Sequence, residues 1–158
     1  MSRLTLLLTL VIVVFSYALV SAQVSGNILA ENEVPPNLIA KHFSNYENSS
    51  DGKWYQDGAE FNISFINLGK PHLAKYNKSG RLLMESVVTD SFTPQQIEQH
   101  LASKFSKYKI VEIRAVRDLE NDMEFYQVQV KSKSAGLVTE WYDRSLAPID
   151  NFTAWVNN

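Results

Sequence analysis

The chain contains no cysteine. Disulfides and thiolate metal sites are therefore excluded, and stability has to come from packing. It also lacks a surplus of either charge: 15 Lys and Arg stand against 17 Asp and Glu, interspersed along the sequence, for a net charge of −2. Nucleic-acid binding usually demands a basic stripe, so that partner class is not expected. Nor is there a polybasic run or an amphipathic basic helix to suggest a membrane surface. No G-x-S-x-G elbow, phosphate-cradling loop or His pair at zinc-protease spacing occurs. Proline and glycine are few, at 5 and 6, and they punctuate the chain at helix starts and turns.

Only one long apolar run exists, residues 4–20 after Arg3, and Val20-Ser21-Ala22 places small residues where a signal peptidase reads. Residues 1–22 are expected to be a cleaved secretory signal with Gln23 as the new N-terminus. The competing reading is an uncleaved anchor, because the run approaches the length of a spanning helix. A basic flank after the run is missing, as is a lipidation cysteine. A periplasmic or secreted location follows, with no membrane attachment after cleavage.

What remains has the size of one domain, and it reads as one supersecondary unit written twice. Val34-Pro35-Pro36 precedes an apolar set at Leu38, Ile39, His42, Phe43 and Tyr46. Phe92-Thr93-Pro94 precedes Ile97, Leu101, Phe105 and Tyr108, at a spacing of about 62 residues. Each set lies on one face of a helix. Thr93 with Gln96 is expected to cap the second helix as a capping box. Pairing Phe43 with Phe105 makes that helix one turn longer than the first. Strand-like alternation follows each helix, as in Ala59, Phe61, Ile63 and Phe65, and Asp57-Gly58 marks a tight hairpin. The predicted fold is α+β: two tandem helix-plus-hairpin repeats, of αβ4 type, with both helices on one face of an antiparallel sheet of up to eight strands. Residues 23–33 read as a flexible arm, 34–89 and 92–150 as the repeats of one domain, 34–150, and 151–158 as a tail. Residues 146–150 are a candidate last strand, and Phe152 and Trp155 can fold back onto the sheet.

A sheet with helices on one side leaves the other side open, and aromatic residues pointing there would form a binding surface. The candidates are Trp54, Tyr55, Tyr126, Trp141 and Tyr142. Neighbours on a strand face opposite ways, so Trp54-Tyr55 and Trp141-Tyr142 can each offer one ring outward. The alternative is that both rings of each pair serve packing. His42, His72 and His100 are too scattered for a metal site, and His42 is expected at a boundary with one nitrogen wet. Asp118, Glu120, Asp122 and Glu124 lack the Gly and closing Glu of an EF-hand and read as a solvated hairpin. Asn48, Asn62, Asn77 and Asn151 open N-x-S/T patterns, which would matter only in a eukaryotic secretory pathway. No cofactor and no catalytic residue is indicated.

The order of the Val34-Pro35-Pro36 helix, Lys53-Trp54, Gly58-Ala59-Glu60-Phe61 and Tyr76-Asn77-Lys78-Ser79-Gly80-Arg81-Leu82 resembles the small secreted PepSY-like proteins of Bacteroidetes, also described as beta-lactamase-inhibitor-like. In the second unit Thr93-Pro94, Phe105-Ser106-Lys107-Tyr108-Lys109-Ile110, Phe125-Tyr126-Gln127-Val128 and Trp141-Tyr142-Asp143-Arg144-Ser145-Leu146 resemble the matching segments. One departure is that Leu146 or Ala147 stands where Gly80 stands in the first unit, so the last hairpin is expected to be irregular. The resemblance implies a non-enzymatic module that binds a protein of the envelope or extracellular space, with inhibition or regulation of an enzyme as its role. A small-ligand carrier with an enclosed apolar pocket is the alternative, and an unrecognised hydrolase a third. They differ in structure: an open face, a closed cavity, or converging acid, base and nucleophile.

Overall fold

A computed structural model describes residues 26–89 and 93–152. The expected signal, Phe92 and Trp155 lie outside these residues. Eight strands are described: β1 (Asn27–Leu29), β2 (Ser49–Asp57), β3 (Glu60–Asn67), β4 (Lys70–Asn77), β5 (Leu82–Val88), β6 (Tyr108–Asp118), β7 (Met123–Ser132) and β8 (Gly136–Asp143). They make one antiparallel sheet in which each strand pairs with its neighbour in sequence. Helix α1 (Pro36–Asn45) lies between β1 and β2, and α2 (Gln95–Lys104) between β5 and β6.

Residues directly opposed in antiparallel strands project to the same face. One such row runs Phe65, His72, Val87, Ala115, Tyr126, Tyr142 from β3 to β8. Phe65 belongs to the core cluster of Leu38 on α1, and Tyr142 to that of Ile97 and Leu101 on α2. Both helices therefore cover one face, and neither α1 nor α2 lies on the opposite one. Each helix owns a separate core. Leu38, Tyr46, Trp54, Phe61, Ile63 and Tyr76 pack under α1, whereas Phe105, Ile113, Val128 and Val130 pack with α2, and the clusters share no member.

Several local expectations are corrected. The two helices have the same length, ten residues, and neither contains an extra turn. The residues that correspond are Leu38, His42 and Tyr46 with Ile97, Leu101 and Phe105, each set spaced by four. Tyr46 and Phe105 close the helices by donating their N–H groups to His42 and Leu101 carbonyls at 2.9 and 2.8 Å. Phe43, which the sequence pairs with Phe105, instead points outward and is 51% exposed. Thr93 does not cap α2; Pro94 occupies the cap position with no side-chain hydrogen bond, since its fixed φ already sets the entry. The eighth strand comes from Asn27–Leu29, inside the segment that reads as an arm, which needs only backbone pairing with Trp54, Tyr55 and Gln56. Residues 146–150 contribute a single bridge, Pro148 to Tyr142, and no strand.

The turns after β4 and β8 are built alike. Asn77 Oδ1 accepts from the Ser79 N–H, the Ser79 hydroxyl and the Arg81 N–H at 3.1, 2.7 and 3.0 Å. Asp143 Oδ1 accepts from the Ser145 N–H, the Ser145 hydroxyl and the Ala147 N–H at 2.8, 2.7 and 2.9 Å. Gly80 takes φ +87°, and Leu146 takes the same left-handed region at +68°. The turn itself is kept, since Leu146 accepts an unfavourable φ while its side chain packs against the α2 core, and the expected irregularity lies beyond it, where Pro148 makes one bridge and no strand forms. Asn77→Ala removes an acceptor serving three donors and should lower stability by about 1–2 kcal/mol in thermal denaturation, while Asn77→Asp should retain most of it. An unchanged midpoint for Asn77→Ala would show that water replaces the side chain at no cost.

Candidate binding surface

Alternation along the strands divides the five aromatic candidates between two faces. Trp54 points under α1, where its ring meets His42 at 5.7 Å and Tyr76 at 6.0 Å between centroids. Tyr142 is fully buried under α2. Tyr126 also projects to the helix side. Tyr55 and Trp141 project to the open face, the first opposite Asn62 of β3 and the second opposite Gln127 of β7. In each adjacent pair one ring enters a core and the other turns away from the helices. Tyr55 is only 5% exposed even so.

The open face is not a flat wet sheet. A groove of about 240 Å³ touches Asn62 on β3, Met84 and Ser86 on β5, and Phe125 and Trp141 on β7 and β8. Residues so many strands apart can share one groove only if the sheet curves around it, as twisted antiparallel sheets do. Phe125 and Trp141 sit edge to face at 5.7 Å. Phe152, beyond β8, stacks on Trp141 at 3.9 Å with 12° between planes and meets Phe125 at 5.0 Å. Sequence reasoning missed Phe125 as part of this surface. The signal was present: Tyr126, Val128 and Val130 supply the core side of β7, which leaves Phe125, Gln127 and Gln129 for the other.

Two charged side chains of this face are paired. The Arg114 side chain is 1% exposed; its Nε donates to Glu112 and its Nη1 to the Ser86 hydroxyl at 3.4 Å. Lys75 meets Glu60 at 2.7 Å. With these two charges neutralised, this part of the face offers aromatic contact and hydrogen bonding.

A second depression, of about 450 Å³, lies over strands β4 to β7 and is lined by His72, Glu85, Arg117, Glu124, Tyr126 and Arg144. Glu85 accepts from Tyr46 at 2.5 Å and from Arg117 at 3.3 Å, and Arg144 meets Glu124 at 3.4 Å. Burial and the Glu85 contact push the Tyr46 hydroxyl well above its usual range. The site is an interlocked polar seam between the cores. His72 is held below its ordinary pKa mainly by burial.

The histidine expected at a boundary is inside: His42 is 2% exposed, with Nδ1 3.2 Å from the Tyr76 hydroxyl and Nε2 3.1 Å from Ser49 Oγ. Among the described residues no three His, Asp or Glu side chains form a metal-ligand set. In the acidic loop Asp118 Oδ1 accepts the N–H groups of Glu120 and Asn121 at 3.0 and 3.1 Å, and Oδ2 accepts from the Asn121 side chain at 2.9 Å. That carboxylate closes its own turn. Among the described residues no helix is long and apolar enough to cross a membrane.

No family model matches the chain, and no curated protein matches it. Solved structures do. A DUF2874 family protein from Bacteroides uniformis superposes with a TM-score of 0.63 at 13% identity, covering 73% of this chain and 86% of that one. A protein from Bacteroides eggerthii provisionally described as periplasmic gives 0.64 at 15% identity, with 73% and 86% covered. A BLIP-like protein from Bacteroides fragilis gives 0.59 at 13% identity, with 73% and 84% covered. None of these descriptions carries the PepSY-like label. At such identities the likeness is one of architecture, and the chain has the fold of BLIP-like and DUF2874 proteins of Bacteroides.

Proposed function

We propose that this chain is a secreted or periplasmic protein-binding module without enzymatic activity, which engages a protein partner of the envelope or extracellular space through the open face of its sheet. The observation that carries the reading is the cluster of Phe125 and Trp141 beside the groove, on the face that neither α1 nor α2 covers. Aromatic anchors in a desolvated patch are what protein interfaces use at their centres. The described names of the Bacteroides structures, BLIP-like and periplasmic, agree with this compartment and with inhibition or regulation as the outcome of binding. The small-ligand alternative needs an enclosed apolar cavity, and the groove is open.

The sheet itself is proposed to consist of two tandem copies of one unit. Support comes from the matched helices, the equal closing bonds of Tyr46 and Phe105, and the Asn77 and Asp143 turns with their left-handed Gly80 and Leu146.

Trp141→Ala in residues 23–158 should weaken capture of a specific envelope protein at least tenfold, about 1.4 kcal/mol or more, in the range of an interface anchor. Phe43→Ser, on the outer side of α1, should leave capture unchanged. Quantitative pull-down with both variants decides the matter, and equal losses or none would place the surface elsewhere.

A further inference from the structure

We propose that the C-terminal segment, from Phe152 onward, is an intramolecular occupant of the open face, so that a partner gains the face by displacing it. This rests on the docking reading above and adds its regulation. The segment is led to the face by fixed contacts. After the Asp143 turn, the Ile149 N–H donates to the Trp141 carbonyl at 2.8 Å and Pro148 bridges to Tyr142. Phe152 then lies flat on the Trp141 indole and edge-on to Phe125. Face-to-face contact at 3.9 Å is the arrangement an incoming aromatic side chain would adopt, so the chain already fills its own anchor site.

Three further observations point the same way. Val116 and Phe125 are buried on the open face, although they belong to neither helix-covered core. Arg114 and Ser86, on that face as well, are almost fully removed from solvent. The chain also continues past Phe152 with Thr153, Ala154, Trp155, Val156, Asn157 and Asn158. Trp155 gives this stretch of sequence a second large aromatic residue. A tethered occupant competes at a millimolar effective concentration, which lets a weak contact hold the face and still be released.

The occupancy predicts a ring-current signature. Protons of the Trp141 indole lie over the Phe152 ring and should resonate upfield. Three forms are compared by NMR: the chain from Gln23 to Asn158, the same chain ending at Asn151, and the full chain with Phe152→Ser. Trp54, buried under α1, serves in all three as the reference for an intact fold. Truncation and Phe152→Ser should both move the Trp141 indole protons downfield. The peptide of residues 151–158, added at about millimolar concentration, should return those of the truncated chain. If the face is open about a tenth of the time, truncation should tighten partner binding about tenfold. Trp141 resonances that ignore the truncation, or that the peptide does not return, overturn the proposal. The two readings separate cleanly: Trp141 shifting as expected without any partner captured leaves occupancy standing and removes the docking function, whereas partner capture with Trp141 unmoved does the reverse.

Discussion

Leu38→Ala and Leu101→Ala should each cost about 3 kcal/mol, and the double variant about 6 kcal/mol. Both side chains are completely buried and central to their helix-to-sheet contacts. Deleting them removes apolar burial and leaves a cavity, the two terms that make core leucines expensive. Additivity follows from the clusters sharing no residue. What joins them is backbone: β5 and β6 pair from Met84 opposite Asp118 to Val88 opposite Arg114, flanked on the helix side by the Glu85–Arg117 seam. Against a total of about 5–15 kcal/mol for a typical domain, the double loss brings the chain close to unfolding. Urea denaturation of the four proteins measures it. A double variant departing from the sum by more than about 1 kcal/mol would mean that the two cores act as one.

Much of this architecture was legible because the physics behind it is local. Leu38, His42 and Tyr46, and again Ile97, Leu101 and Phe105, repeat every four residues behind a proline, a spacing that a helix brings to one side. The alternation of Phe61, Ile63 and Phe65 can only be a half-buried strand, and Asp57-Gly58 makes the turn that returns it. Boundaries set by backbone alone were not legible. Asn27–Leu29 becomes an edge strand by pairing main-chain groups, which leaves no mark in a polar sequence. Phe43 misled because it extends the apolar face sideways: a helix stripe drifts, and its flank reads like its centre until a sheet is placed beneath it.

The candidate surface was half legible for the same reason. Alternation says that Trp54 and Tyr55 face opposite ways, and likewise Trp141 and Tyr142. Which ring lies under a helix is decided by register across eight strands, so Trp54 and Tyr142 went inward while Tyr55 and Trp141 did not. Phe125 was hidden among strand residues, although the phase of Val128 and Val130 gives its side. The irregularity expected of the last hairpin falls after its turn, which holds even though a left-handed leucine is unusual. Its cost is tolerated where the side chain gains burial, a tertiary effect that no local rule contains.

The chain should lose up to about 3 kcal/mol of stability between pH 7 and pH 4 through His42 alone. Burial holds the imidazole at a pKa of about 4, against 6.5 for an exposed histidine. Neutral His42 is accommodated by two hydroxyl partners, with one ring nitrogen accepting and the other donating, and by the rings of Phe65, Trp54 and Tyr46 around it. A depressed pKa means that the unfolded chain takes up its proton first. Stability is then fully present above pH 6.5, falls as the unfolded chain protonates, and levels off only below pH 4. His72, also held down mainly by burial, adds to the same trend, so a His42→Gln variant should keep a shallower slope rather than none. The glutamine offers a donor and an acceptor without titrating, and its stability at pH 7 should be lower by about 1–2 kcal/mol for imperfect geometry. Urea midpoints at several pH values for both proteins separate the contributions, since the carboxylates are common to both. Parallel profiles would show that His42 titrates normally in the folded chain, and that the pocket beneath α1 admits water and charge.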